Sequence, residues 1–146
     1  LQPVDIAAPN PELVWTIVPV KPLAEAKSRL SPILTSSERA SLAFNLLKHT
    51  LQVLQELVKA RKLAGTVVVS ADPYILNEAE KFSALTLFQT REVTDLKDNE
   101  ALNRDLLVAT NWAITQLKAD RLLILPADLP WLTPVDLSEL LSLPYQ

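Results

Sequence analysis

Lys21, Lys27 and Arg29 stand together in VPVKPLAEAKSRL, residues 18–30, directly after an apolar run. Cations in that position could neutralise a phosphate chain. A helix beginning at Glu25, with Lys27 near its start, would add backbone N–H groups to the same task. The alternative is a solvated basic face offset by Glu25 and Glu38. Asp128 sits between Pro126 and Pro130 in LILPADLP, where the stiff backbone cannot continue a strand. A carboxylate fixed at the top of a central strand is suited to holding Mg²⁺ between phosphates. Its plainer use is as a turn aspartate that caps the next helix or bonds its own backbone.

Other candidates are weaker. SADP places Ser70 and Asp72 at a further strand end. Ser70 could touch a base or ribose, whereas Asp72 before Pro73 reads as a turn residue. ALNRDL begins a helix, so Asn103 could offer its amide to a base edge, although an Asn near a helix start usually satisfies backbone groups. His49 reads as a surface residue, and Trp15, Trp112 and Trp131 as core or lid packing. Ser, His and acidic residues form no recognisable nucleophilic set.

Composition narrows the chemistry further. The 146 residues include one glycine, Gly65, against eleven prolines, so neither type of glycine-rich phosphate loop is present. There is no cysteine and one histidine, which leaves only a hard cation on oxygen ligands as a candidate metal. A net charge of -3 argues against a general nucleic-acid binder. No apolar run is long enough for a membrane span, and the N-terminal residues lack the order of a signal peptide. A cytoplasmic protein of one domain is expected.

The elements that must position these residues alternate. LVWTIVPV (13–20) and TVVVSA (66–71) are β-rich runs buried on both faces, and ALTLFQ (84–89) and RLLILPA (121–127) are two further strands. Thr35 and Glu38 have capping-box spacing. Leu42, Leu46, Leu47, Leu51, Leu54 and Val58 then recur at helical spacing up to Lys59, Arg61 and Lys62. YILNEAEKFS reads as a short helix. Residues 101–119 read as another, with Leu102, Leu106, Ala109, Ala113, Ile114 and Leu117 on one face. Residues 90–100 read as a loop, and Thr133 with Pro134 and Asp136 starts a last helix, 134–143. The pattern predicts an α/β fold with a doubly wound, mainly parallel sheet. Ligands of such sheets bind beyond the carboxyl ends of the strands, where the candidate residues fall.

Taken in order, VPVKPLAEAKSRL, SSERASLA, VVVSADP, ALNRDL and LILPADLPWLTPVDL resemble the 2-phospho-L-lactate and phosphoenolpyruvate guanylyltransferase family, over residues 14 to about 141. The resemblance implies a Rossmann-like nucleotidyltransferase of the nucleotide-diphospho-sugar transferase type. It would condense GTP with a phosphorylated three-carbon acid and release pyrophosphate, in the biosynthesis of the deazaflavin coenzyme F(420). It also implies that Lys21, Lys27, Ser28 and Arg29 lie at the triphosphate and that Asp128 binds Mg²⁺. Leu102 and Asn103 would help select the base, and Ser70 would lie on the nucleotide-facing rim. Where this chain has Ala101-Leu102-Asn103, family members carry Gly-Leu-Asn, the glycine permitting close approach to the nucleotide.

The expected layout is an irregular arm, 1–12, and one nucleotidyltransferase domain, 13–146. Family members continue for tens of residues further, with another acidic metal ligand and much of the acceptor pocket. Exposed sheet edges leave homodimerisation open, and no membrane or nucleic-acid partner is expected. The alternatives are a nucleotide-binding or regulatory module without turnover, or a related transferase with another nucleotide or acceptor.

Overall fold

Two strands carry the core: β1 (Val14–Val20) and β2 (Gly65–Ser70) pair in parallel from Trp15 opposite Gly65 to Val20 opposite Ser70. The computed structural model describes residues 14–89 and 98–143, the side chains of 98–102 excepted. The expected arm at 1–12, most of the loop at 90–100 and the side chain of Leu102 lie outside the described residues. On the far side of β2 lies β3 (Leu85–Phe88), and on the far side of β1 lies β4 (Arg121–Ile124), both parallel. The order is β3-β2-β1-β4.

Alternation along the strands divides the core. Val14 and Val18 of β1 and Val68 of β2 face one side. They are covered there by α1 (Ser36–Lys59), α2 (Pro73–Glu80) and α4 (Pro134–Ser142) through Leu47, Leu54, Ile75 and Leu137. Ile17, Val67 and Val69 face the other side and meet Ala109 and Ala113 of α3 (Asp98–Gln116). Ile17, Leu54 and Val67 are wholly buried, each contributing about 1.5–3 kcal/mol by leaving water. β1 and β2 are thus the strands covered on both faces. β3 and β4 are only partly buried, because they are the outer strands of the described sheet.

Local chemistry accounts for the helix ends. Thr35 Oγ1 accepts from Glu38 N at 3.1 Å and Glu38 Oε1 accepts from Thr35 N at 3.0 Å, the reciprocal cap expected at the start of α1. Thr133 and Asp136 form the same arrangement at α4. Past the ends of α1, α2 and α3, the left-handed positions that glycine usually fills are taken by Arg61, Ser83 and Lys118. The only glycine is needed elsewhere. A Cβ on Gly65 would come within 2.4 Å of the Trp15 ring, which lies against it across the β1–β2 pair.

Three sequence expectations need correction. α3 begins at Asp98 rather than after residue 100, so Asn103 is in its second turn and not at its start. Ile114, assigned to the buried face of α3, is half exposed. Trp15 and Trp112 pack in the second core cluster, but Trp131 is 86% exposed and packs in neither.

Candidate functional site

The chain runs outward from β1 through β2 to β3, then returns through α3 to place β4 on the other side of β1. That reversal opens a crevice at the carboxyl ends of β1 and β4, the place where open α/β sheets receive ligands. The segment after β1 and the segment after β4 carry the cations and Asp128.

After β1, Lys21 is exposed, and Pro22 with φ -52 leads into a 3-10 turn, Leu23–Glu25. No continuous helix follows. Ala26 is extended and buried, which pins the backbone to the core and ends the turn. Lys27 then adopts φ 51 and ψ 40 before a second 3-10 turn, Ser28–Leu30. A left-handed lysine costs about 1–2 kcal/mol, and unlike Arg61, Ser83 and Lys118 it follows no α-helix. The bend presents Ser28 and Arg29 as exposed residues in the second turn. This departs from the expected helix beginning at Glu25.

The same bend carries Lys27 Nζ to 2.9 Å from Asp128 Oδ2, joining the two sides of the crevice. The side chains are 27% and 53% exposed, so the pair adds at most about 1 kcal/mol to stability. Asp128 does not cap the next helix; Thr133 does. Nor is its strand central, since β4 is the outer strand of the described sheet. Glu38, the expected counterweight to the basic stretch, is committed to α1. Bonds from the Thr35 backbone and hydroxyl hold its carboxyl below the usual glutamate value.

Contacts invisible to sequence patterns brace the crevice. His49, read as a surface residue, is half-buried, and its Nε2 lies 2.8 Å from the Leu132 carbonyl oxygen. A carbonyl can only accept, so Nε2 is the donor, and α1 thereby holds the loop that follows Asp128. Asp72 caps α2 by accepting from Tyr74 N and also accepts from Leu23 N, at 3.0 Å each. Ser70 is buried at the end of β2, where its Oγ accepts from Asp72 N at 3.1 Å. Asn103 is exposed on α3, the helix of the opposite layer.

Among the described residues, no group of three or more His, Cys, Asp or Glu side chains could hold a metal ion. Asp128 offers one exposed hard-oxygen donor. That suits Mg²⁺, which keeps water and substrate phosphate oxygens around one or two carboxylates. The residues therefore fit a metal that arrives with phosphates, not a resident all-protein centre. No helix among the described residues is long and apolar enough to cross a membrane.

Comparison with known proteins identifies the family. The family model described as "Guanylyl transferase CofC like" matches residues 14–145. The phosphoenolpyruvate guanylyltransferase of Sphaerobacter thermophilus is 36% identical over 126 residues, 86% of this chain and 55% of that protein. A 2-phospho-L-lactate guanylyltransferase from Methanobrevibacter ruminantium is 31% identical over 80% of this chain and 49% of its own length. The chain thus spans about half the length of the curated relatives it matches. A solved protein from Desulfovibrio desulfuricans G20, assigned as a nucleotide-diphospho-sugar transferase, aligns with TM-score 0.60. It is 17% identical and covers 88% of this chain and 52% of that one. This last likeness speaks to the fold.

Proposed function

The chain belongs to the CofC-like guanylyl transferase family, and from that premise we propose that it carries the nucleotide site of a guanylyltransferase. The substrates are GTP and a phosphorylated three-carbon acid, 2-phospho-L-lactate or phosphoenolpyruvate, and the product serves coenzyme F(420) biosynthesis in the cytoplasm. One observation carries the reading: Lys27 meets Asp128 across the carboxyl ends of β1 and β4. A cation for phosphate and a carboxylate for metal stand together at the topological switch point.

In the reaction, an oxygen of the acceptor's phosphate forms a bond to the α-phosphorus of GTP. The bond from that phosphorus to the β-bridging oxygen breaks, and pyrophosphate leaves with the electron pair. No side-chain nucleophile is required. The main obstacle is the approach of two anions. Lys21, Lys27 and Arg29 lower it by neutralising the triphosphate, doing with side chains what a glycine loop does with backbone N–H groups. Ser28 can donate its hydroxyl to a phosphate oxygen from the same turn. Asp128 would hold Mg²⁺ together with phosphate oxygens, and the ion would stabilise charge on the transferring and leaving groups. By the family resemblance, Leu102 and Asn103 would help select the base, and Ser70 would lie on the nucleotide-facing rim.

The test is pyrophosphate release with GTP and Mg²⁺, each acid offered in turn, against ATP and no-acceptor controls. Turnover with one acid establishes the transferase and identifies its acceptor. Ala101, standing where family members carry glycine, favours one other reading, a nucleotide-binding module without turnover. Saturable GTP binding without pyrophosphate release would select it. Absence of both would reject the nucleotide site.

A further inference from the structure

The SADP corner satisfies its own turn and still has an acceptor to spare. Asp72 Oδ1 takes the Tyr74 N–H at 3.0 Å, which is all the cap of α2 requires. Oδ2 reaches 49 positions back along the chain to the Leu23 N–H, also at 3.0 Å. That N–H opens the first 3-10 turn after β1, and a turn cannot satisfy its own leading donors. Behind Asp72 the support is rigid. Its N–H is bonded to Ser70 Oγ, and Ser70 is 3% exposed at the end of a fully buried strand. The backbone between Lys21 and Lys27 is therefore suspended from the β2–α2 corner.

We propose that Asp72 is a positioning residue: its second carboxylate oxygen fixes the Lys21–Arg29 segment in the geometry that receives a nucleoside triphosphate. The proposal rests on the nucleotide reading above. Electrostatics make the assignment discriminating. A carboxylate near an anion site repels the ligand, so a purely capping Asp72 would be improved for triphosphate binding by losing its charge. A clamping Asp72 would be damaged by the same change, because Asn replaces one of the two accepting oxygens with an NH₂ group that can only donate.

Asp72→Asn and Asp72→Ser separate the two cases, since Asn and Ser also cap helices well. Binding of inorganic tripolyphosphate and of GTP, each with Mg²⁺, is measured by calorimetric titration. Hydrogen exchange over residues 21–30 is followed in parallel. The expected result is a melting temperature close to that of the parent, faster exchange in 21–30, and about tenfold weaker binding of both probes. The double variant Asp72→Ser with Lys27→Gln should lose less than the sum of the two single losses, because Asp72 acts through a segment of which Lys27 is one cation. Parental or tighter binding by either variant would overturn the proposal, as would weaker binding with unchanged exchange in 21–30. Failure of the parent chain to bind either probe would instead reject the nucleotide site, and this inference with it.

Discussion

Lys27 Nζ lies 2.9 Å from Asp128 Oδ2, and the lysine that makes this contact has a left-handed backbone. The strain and the contact belong to the same residue, so they can be separated by substitution. Lys27→Gly relieves about 1 kcal/mol of backbone strain and loses an exposed ion pair of similar size or less. Its melting temperature should stay within about 3 °C of the parent. Lys27→Ala keeps the strain and loses the pair, and should melt below Lys27→Gly. Both should bind GTP at least about tenfold more weakly. Thermal melts in which Lys27→Ala equals or exceeds Lys27→Gly would remove the strain argument.

Asp128 is half exposed, so its role in folding is small. Asp128→Ala should leave the thermal transition nearly unchanged while pyrophosphate release falls by about 10³ or more. Chelation of divalent metal should abolish release in the parent, with recovery on adding Mg²⁺. Turnover by Asp128→Ala within a few-fold of the parent would take the metal away from this residue.

Gly65 is fixed by packing rather than by a turn. Adding a methyl group forces the Trp15 ring from a position 2.4 Å away, and Gly65→Ala should cost about 1–3 kcal/mol. Adding Trp15→Leu should recover part of that loss, a non-additivity measurable by denaturant titration of the four chains. Strict additivity would mean that the two residues do not press on each other.

Glu38 gives the chain an acid-sensitive helix start. Its folded value lies below the ordinary 4.5 because the Thr35 backbone and hydroxyl bond the carboxylate. A lowered folded value means stabilisation that is fully present above the unfolded value and lost as pH falls through the folded one. The parent should therefore exceed Glu38→Gln in stability at neutral pH, and the difference should shrink as pH drops below 4.5. A difference that stays constant across that window would show that the carboxylate charge plays no part.

Much of the frame was legible because its signals are local. The uninterrupted apolar runs of β1 and β2, the caps at Thr35 and Thr133, and the leucine spacing of α1 each need only neighbouring residues to be read. The start of α3 is not legible because Asp98, Asn99 and Glu100 are as polar as the residues before them. Ile114 fits the helical period yet is half exposed, since periodicity names a stripe and only packing fixes its width. At the site, residue types pointed to phosphate and metal, but not to the geometry. A left-handed Lys27 carries no glycine or asparagine to announce it. The bonds from Asp72 to Leu23 and from His49 to Leu132 span 49 and 83 positions. Each partner there is a backbone atom, which leaves no mark in the sequence.

If the ends of β1 and β4 form one site for a metal-bound triphosphate, GTP binding must depend on Mg²⁺ through Asp128. Titration of GTP into the parent chain and Asp128→Asn, each with and without Mg²⁺, decides this. The parent should bind saturably and more tightly with Mg²⁺, and Asp128→Asn should lose the Mg²⁺-dependent part. Equal affinities for the two chains in Mg²⁺, or no binding by the parent, would rule such a site out.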